Sequence, residues 1–288
     1  MKRVLAVVFA VAISLLGAVP AFADEGGGHG QYLALGDSVA FGYTPPQVTP
    51  PANYQNASNF VGYPEFASRF LELKDSNASC SGEATGGFIS RTSPDDNGCQ
   101  TGYRLVYPLH VNYTSSQLDY AVNFLKTHHN TKLVSIDLGA NDVFHLQYGI
   151  CGGDPACIAA GLPGVLATNQ VNLEFIFAAM RATGYHGTIV ALTYYSLDYS
   201  AAGQASTMAL NQPMINAAKK YHVRIASGFD AFKALALANG GTSCAAHLVI
   251  ALPAGGCDVH PTPLGHLLLA AAVIRAAENR GSEGDSQN

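Results

Sequence analysis

Residues 31–38 read Gln-Tyr-Leu-Ala-Leu-Gly-Asp-Ser, an apolar segment that runs directly into a short polar motif. The segment Gln31–Leu35 predicts a short strand that ends at Gly36. A helix starting after this turn would direct its N-terminal N–H groups and positive dipole end towards the Ser38 hydroxyl. The segment therefore predicts a strand-to-helix turn that holds a serine at the edge of a sheet. Plain N-capping by Asp37 or Ser38 would explain the same residues without any chemistry.

The rest of the chain repeats this alternation of apolar strands and helices. Further strands are predicted at Lys132–Leu138, Thr188–Leu192 and Val223–Ala226. Helices are predicted at Pro64–Leu73, Ser115–His128, Thr168–Thr183, Ala205–Tyr221 (interrupted by Pro213), Phe229–Asn239 and Pro263–Asn279, and loops at Tyr43–Phe60 and Ser79–Gln100. This alternation indicates βαβ units and an α/β fold with a central parallel sheet. Such sheets bind ligands at the carboxyl ends of their strands.

Composition and charge exclude two classes of protein. The chain has 288 residues, of which 48% are hydrophobic and 12% charged, so it can bury a sizeable core and is not intrinsically disordered. It carries 15 Lys and Arg residues against 20 Asp and Glu residues, a net charge of -5. A nucleic-acid-binding protein would normally present a basic face, so we expect no nucleic-acid partner.

The first residues have the pattern of a secretory signal peptide. Lys2 and Arg3 precede an apolar run that is shorter than the roughly 20 residues a membrane-spanning helix needs. Ala21 and Ala23 then form the small-x-small pattern that signal peptidase recognises. We therefore expect residues 1–23 to be removed after Ala23, no transmembrane segment in the mature chain, a single domain over residues 24–288, and an extracellular protein.

Export affects how the six cysteines are interpreted. All of them lie after the predicted cleavage site: Cys80, Cys99, Cys151, Cys157, Cys244 and Cys257. An even number in an exported protein suggests disulfide bonds, and we favour sequential pairing because each bond would then close a short, loop-like segment. Zinc binding is the alternative, but the sequence has no C-x-x-C motif, so we expect no metal.

Two of the candidate functional motifs follow predicted strands or loops in the first half of the chain. Gly82 lies in a Ser/Gly loop and could present its backbone N–H to a ligand, although an ordinary turn is the better explanation of this loop taken alone. Asn141 follows the strand Lys132–Leu138 and carries an uncharged amide donor, which suits an oxyanion hole. A helix cap by Asn141 or Asp142 is the alternative.

A further motif precedes the last helix. His260 is followed by Pro261, which favours an extended backbone at the histidine. A histidine can act as a general base near neutral pH, whereas an exposed loop histidine would have no such role.

The four motifs together resemble the SGNH (GDSL) hydrolase superfamily. The similarity runs from Tyr32 to the C-terminal helix, and the segment Cys80–Glu83 with Cys99 downstream looks like the secreted, disulfide-containing bacterial esterases and lipases of this superfamily. The resemblance implies a flavodoxin-like three-layer α/β/α sandwich and ester hydrolysis without a cofactor. It also implies that Ser38 is the nucleophile and His260 the base, and that the Ser38 N–H, the Gly82 N–H and the Asn141 side chain form the oxyanion hole.

One position departs from the family pattern. The superfamily usually places its triad aspartate three residues before the histidine, where this sequence has Cys257, and Asp258 lies only two residues before it. A shift of one residue along an extended chain turns a side chain to the opposite side. Either Asp258 or a backbone carbonyl near Gly256–Cys257 would therefore orient His260.

The expected function is that of a secreted carboxylesterase or lipase, active as a monomer on a small acyl-ester or lipid substrate. A carbohydrate O-acetylesterase would use the same residues. A binding module without catalytic activity is the alternative outside the enzymes. The α/β-hydrolase fold is disfavoured because its nucleophile motif G-x-S-x-G lacks its last glycine at Ala40.

Overall fold

The computed structural model describes residues 30–93 and 98–279, so the predicted signal peptide lies outside the described residues. Its centre is a sheet of five strands that all run parallel, with the spatial order β2-β1-β3-β4-β5. The strands are β1 (Gln31–Gly36), β2 (Lys74–Asn77), β3 (Thr131–Asp137), β4 (Thr188–Thr193) and β5 (Arg224–Ser227). This order is that of flavodoxin-like folds. The predicted fold class is confirmed.

Helices cover both faces of the sheet, and a small hairpin carries the last motif. Among the described residues the α-helices are α1 (Ser38–Phe41), α2 (Tyr63–Leu71), α3 (Thr85–Ile89), α4 (Arg104–Val106), α5 (Gln117–Thr127), α6 (Ala140–Phe144), α7 (Pro155–Ala182), α8 (Ala201–Lys220), α9 (Gly228–Ala238) and α10 (Pro263–Glu278). The antiparallel hairpin consists of β6 (Val249–Ala251) and β7 (Cys257–Pro261).

The hydrophobic core has two halves, one on each face of the sheet. Side chains of α2, α9 and α10 pack against one face, with Tyr32 and Leu133 at its centre. Side chains of α5, α7 and α8 pack against the other, with Leu33 and Ile136 at its centre. Because successive side chains of a strand point to opposite faces, a strand covered on both sides is apolar along its whole length. This explains the apolar run of β1 that the sequence showed.

Strand β2 was not predicted, because its four residues Lys74–Asn77 are polar. It pairs only with β1, in the register Gln31 with Lys74 and Ala34 with Asn77, and so lies at the edge of the sheet. Backbone hydrogen bonds to β1 hold it in place, and its side chains contribute little to the apolar core. The sequence pattern of an edge strand therefore carries no hydrophobic periodicity.

The expected interruption of a helix at Pro213 is wrong, since α8 continues through this residue to Lys220. The proline ring is buried, and two residues earlier the Asn211 side chain bonds to both the N–H and the C=O of Tyr194, at 2.9 and 2.8 Å. Packing on both sides of the proline outweighs the loss of one helical hydrogen bond.

Two other boundaries also differ from prediction. Helix α7 begins at Pro155, well before the predicted Thr168, and the Asp154 side chain caps it by accepting from the Ala156 N–H at 3.0 Å. Proline at the first helical position is favourable. The predicted loop Ser79–Gln100 contains the short helix α3.

Three disulfide bonds link Cys80 to Cys99, Cys151 to Cys157, and Cys244 to Cys257. The pairing is sequential, as favoured from the sequence. Within the described ranges, no helix combines the length and the apolar character needed to cross a bilayer.

Candidate active site

The Gly36-Asp37-Ser38 motif, called the nucleophile turn after the role predicted for Ser38, forms a tight turn at the carboxyl end of β1. Ser38 is the first residue of α1, and Asp37 caps this helix by accepting from the Val39 N–H at 2.9 Å. Gly36 has φ +133°, and a Cβ there would lie 2.3 Å from the backbone oxygen of Asp137. Only glycine therefore fits at this crossing with β3. The Ser38 side chain remains partly exposed at the sheet edge.

His260 lies on β7, which places its ring beside the nucleophile turn. Its Nε2 atom is 2.9 Å from Ser38 Oγ, and its Nδ1 atom is in hydrogen-bonding contact with Asp258 Oδ1. Because Nδ1–H donates to the carboxylate, Nε2 is the acceptor and Ser38 is the donor. The three side chains thus form a connected Ser–His–Asp chain of hydrogen bonds.

Asp258, rather than a backbone carbonyl, contacts the His260 ring. Residues two apart on an extended strand point to the same side, so Asp258 can reach Nδ1 although it stands one position away from the family's usual aspartate. Its Oδ1 also accepts from the His260 backbone N–H at 3.0 Å. Burial alone would raise the pKa of the Asp258 carboxyl, but the hydrogen bonds and the charge attraction to His260 outweigh this effect and lower it.

The structure brings Asn141 to the same edge of the sheet. Asn141 is in α6, directly after β3, and its Nδ2 donates to Glu83 O at 3.0 Å and to Asp37 Oδ2 at 3.2 Å. It therefore connects the residue before Ser38 with the residue after Gly82. The three predicted oxyanion-hole residues lie on turns that contact one another.

Gly82 lies in the turn that follows β2. The turn is fixed by a hydrogen bond from the Cys80 N–H to Gly36 O at 3.1 Å and by one from the Glu83 N–H to Cys80 O at 3.1 Å. Gly82 itself has φ +84°, a conformation that favours glycine. Its own N–H donates to no acceptor among the residues that the structure describes.

Gln117 holds these two turns together, a role that the sequence did not reveal. Its Oε1 accepts from the Gly36 N–H at 2.6 Å, and its Nε2 donates to Gly36 O and to Glu83 Oε2, both at 3.1 Å. The side chain is fully buried at the start of α5. A glutamine on the core-facing side of a predicted helix is the signal that could have identified it, since buried amides are hydrogen-bonded.

The segment after β4 also reaches the site. The Tyr194 hydroxyl donates to Asp37 Oδ2 at 2.6 Å, and the Tyr195 hydroxyl donates to Val259 O at 2.5 Å. These two tyrosines therefore fix the turn before Ser38 and the strand that carries His260.

Aromatic side chains form one wall beside the histidine. The ring of Tyr43 lies 4.8 Å from the ring of His260 and 5.9 Å from that of Tyr54. Phe60 packs against both tyrosines, at 6.3 and 5.1 Å. The loop that holds Tyr43 and Tyr54 thus contributes an aromatic surface to the site.

One group of potential metal ligands occurs in the described residues, namely Cys80, Glu83 and Cys99, but it is not suited to bind an ion. The two cysteines form a disulfide bond with each other. Cysteine binds a metal as the thiolate, which a disulfide does not supply, so this group offers an ion only the Glu83 carboxylate.

Comparison with known proteins agrees with this geometry. The sequence profile of the GDSL-like lipase/acylhydrolase family matches residues 34–268. The chain belongs to this family. It is a carboxylic ester hydrolase, and the resemblance inferred from the motifs around Ser38 and His260 is confirmed.

Solved structures show the same fold as this GDSL-family hydrolase. A phospholipase A1 from Streptomyces albidoflavus NA297 has a TM-score of 0.55 at 18% identity, and the match covers 85% of this chain and 100% of that chain. An acetylxylan esterase from Geobacillus stearothermophilus has a TM-score of 0.53 at 16% identity, with 86% and 94% covered. An α/β hydrolase enzyme from the metagenome of Lake Arreo has a TM-score of 0.52 at 17% identity, with 86% and 94% covered. No curated protein sequence matches the chain.

Proposed function

We propose that the GDSL-family hydrolase transfers the acyl group of its ester substrate to Ser38, with His260 as the base. The observation that carries this assignment is the 2.9 Å contact between Ser38 Oγ and His260 Nε2, with Asp258 on the other ring nitrogen. Nucleophile and base within hydrogen-bonding distance, and a third group that orients the base, are the requirements for an activated serine.

The acylation step moves one proton and forms one bond. His260 Nε2 takes the Ser38 hydroxyl proton while Oγ attacks the ester carbonyl carbon, and Asp258 stabilises the imidazolium that results. When the tetrahedral intermediate breaks down, the imidazolium gives the proton to the departing alcohol oxygen. The product is an acyl-enzyme at Ser38 and a free alcohol.

Water then releases the acyl group. His260 takes a proton from a water molecule that attacks the acyl carbon, and returns it to Ser38 Oγ as the carboxylic acid departs. During both steps the negative oxygen accepts hydrogen bonds from the Ser38 N–H, the Gly82 N–H and the Asn141 amide. The Asn141 hydrogen shared with this oxygen is the one that faces Asp37 Oδ2 at 3.2 Å, since the other donates to Glu83 O. Uncharged donors suit this role because they need no counter-ion when the oxygen is neutral.

The substrate is proposed to be a carboxylic ester with an apolar acyl group, as in a carboxylesterase or lipase. The partly exposed ring of Tyr43 beside His260, with Tyr54 next to it and the buried Phe60 behind them, supports this choice. Apolar acyl chains gain from contact with aromatic side chains because this contact removes apolar surface from water.

A carbohydrate O-acetylesterase is the second candidate, since one of the structures with this fold is an acetylxylan esterase. Aromatic rings at the edge of a site also suit the apolar face of a sugar. A series of p-nitrophenyl esters of increasing acyl length, run beside acetylated xylan, separates the two. Activity that rises with acyl length supports the carboxylesterase or lipase, and activity confined to acetyl esters of the polysaccharide supports the second candidate.

The nucleophile assignment is tested by Ser38→Ala, with Ser58→Ala as the control on an exposed loop. We expect no measurable p-nitrophenyl ester hydrolysis by Ser38→Ala and wild-type activity in the control. Activity retained by Ser38→Ala would contradict the assignment. A binding module without catalytic activity, the alternative outside the enzymes, would show no hydrolysis in the wild type either.

Export, domain organisation and a monomeric state belong to the same proposal. The three disulfide bonds support an oxidising compartment. N-terminal sequencing of the protein from the culture medium is expected to begin at Asp24, and light scattering is expected to give the mass of one chain. An uncleaved protein that stays inside the cell would contradict export.

A further inference from the structure

Two buried carboxyl groups lie in contact directly behind the nucleophile turn. Asp37 and Asp137 are each 1% exposed and stand at the carboxyl ends of neighbouring strands, β1 and β3. Gly36 pairs with Asp137 in the sheet register, and a Cβ on Gly36 would lie 2.6 Å from Asp137 Oδ1. The missing side chain of Gly36 therefore makes room for the Asp137 carboxyl beside the turn.

The hydrogen bonds of the two groups are unequal. Asp37 accepts from the Val39 N–H at 2.9 Å, from the Tyr194 hydroxyl at 2.6 Å and from Asn141 Nδ2 at 3.2 Å. Asp137 Oδ1 accepts from the Tyr63 hydroxyl at 3.1 Å. Asp137 Oδ2 is buried and receives no hydrogen bond from a donor within the described residues. The two carboxyl groups are close enough for each to affect the pKa of the other.

A hydrogen bond between two carboxyl groups requires a proton on one of them. Two ionised carboxylates in contact and out of water would repel strongly, so such a pair retains one proton. Asp37 already accepts three hydrogen bonds, which suits the ionised member. A proton on Asp137 Oδ2 turns that atom from an acceptor without a donor into a donor to Asp37.

The charged and titratable neighbours are consistent with this assignment. The groups that face the pair from the surrounding elements are Tyr32, Tyr63, Tyr194, Tyr195 and His260. Burial raises the pKa of the four tyrosines, which therefore stay neutral. Burial also raises the pKa of both carboxyl groups, and at Asp137 the charge of Asp37 raises it further.

We propose that Asp137 is a positioning residue that stays protonated at neutral pH and donates to Asp37. This bond keeps Asp37 ionised in the geometry that caps the helix of Ser38 and holds the Asn141 amide. Against the effect of burial, the charge interaction with His260, like the hydrogen bonds from Tyr194 and the Val39 N–H, lowers the pKa of Asp37 and so favours its ionised form. The inference rests on the proposed function for the roles of Ser38 and Asn141, but the protonation of the pair does not depend on those roles.

The first test reads protonation in the wild-type protein, without any assay of activity. Protein labelled with carbon-13 at the aspartate carboxyl groups is titrated by NMR and compared with Asp137→Asn. We expect a carboxyl signal that keeps its protonated shift through neutral pH in the wild type and is absent from the variant. Burial raises the pKa of Asp75 to about 8, so its signal should stay protonated at neutral pH in both proteins. A wild type whose protonated aspartate signals all persist in Asp137→Asn, or which has none, would overturn the proposal, whether or not Ser38 is the nucleophile.

The second test measures how two substitutions of Asp137 affect catalysis. The amide of Asp137→Asn can still donate to Asp37 and accept from Tyr63, so we expect kcat to stay within roughly threefold of wild type, as for exchange of one donor for another. Asp137→Leu removes the donor and should lower kcat by about 10²-fold, comparable to loss of an oxyanion donor, with little change in KM.

The pH profile separates this role from a merely structural one. In the wild type, loss of the shared proton at alkaline pH should lower kcat, whereas Asp137→Asn has no such proton and should stay active to higher pH. Equal impairment of Asp137→Asn and Asp137→Leu, or identical alkaline limbs in Asp137→Asn and wild type, would overturn the proposal. If Asp137→Leu does not fold, the NMR titration and the Asp137→Asn profile still decide it.

Discussion

Asp258 Oδ1 accepts hydrogen bonds from both the ring Nδ1–H and the backbone N–H of His260, two residues further along the same strand. The two bonds fix the ring plane relative to the strand, and Nε2 then points at Ser38 Oγ. A single short strand therefore carries both the proposed base and the group that orients its ring.

Replacement of Asp258 by alanine is expected to lower kcat by about 10²–10⁴-fold, because the His260 ring loses its orienting bond and the stabilisation of its charged form. The variant is assayed with a p-nitrophenyl ester beside Asp119→Asn, a control on the exposed side of α5. Nearly full activity in Asp258→Ala would show that another group, such as a backbone carbonyl, orients the histidine.

Replacement of Asn141 by alanine should lower kcat by about 10²–10³-fold with a small change in KM, since an oxyanion donor acts mainly on the transition state. Asn123→Ala is the matched control, because Asn123 is exposed on α5. A rise in KM with unchanged kcat would instead assign Asn141 to substrate binding.

Replacement of Gln117 by leucine tests whether this side chain holds the nucleophile turn against the Gly82 turn. The Gly36 N–H and Gly36 O both lose a buried partner, so we expect the free energy of unfolding to fall by about 1–3 kcal/mol and kcat to fall with it. Urea denaturation measures the first and ester hydrolysis the second. Gln212→Leu, on the exposed face of α8, is the control. Unchanged stability and activity in Gln117→Leu would contradict the role of Gln117 in holding the two turns together.

The burial of His266 should make the folded protein less stable in acid. It is 3% exposed, and burial followed by repulsion from His260 lowers its pKa to about 3. Because the unfolded chain binds this proton near pH 6.5, stability should fall as the pH drops from about 6.5 towards 3, by at most about 1.4 kcal/mol per pH unit. Denaturation at several pH values should give a shallower slope for His266→Gln than for wild type, and an unchanged slope for the exposed control His129→Gln. Equal slopes in His266→Gln and wild type would contradict the neutral buried state.

The parts of the fold that follow from hydrophobic pattern could be predicted from the sequence. Strands β1, β3 and β4 are apolar because both of their faces are covered, and this is enough to indicate a parallel α/β sheet. Strand β2 could not be found this way, since backbone pairing at the sheet edge places Lys74–Asn77 without apolar side chains. The continuation of α8 through Pro213 is accompanied by the contact between Asn211 and Tyr194, which are 17 residues apart and meet only in the folded chain.

The residues of the candidate site also fall into those that a local motif marks and those that only the folded chain brings together. Ser38, Gly82, Asn141 and His260 belong to short motifs, so their positions could be read directly. Gln117, Tyr194 and Asp137 act on the site through contacts between distant segments, and no local pattern marks them. Whether Asp258 reaches the His260 ring depends on the backbone conformation of β7. The sequence alone did not determine that conformation.

The central claim is that Ser38 is activated by His260 in the folded protein. The most direct measurement is labelling of wild type and of His260→Ala with a fluorophosphonate probe, followed by mass spectrometry of the peptides. We expect the probe to add to Ser38 in the wild type and labelling to be strongly slowed in His260→Ala. A label on a different residue, or equal labelling of Ser38 in both proteins, would contradict this claim.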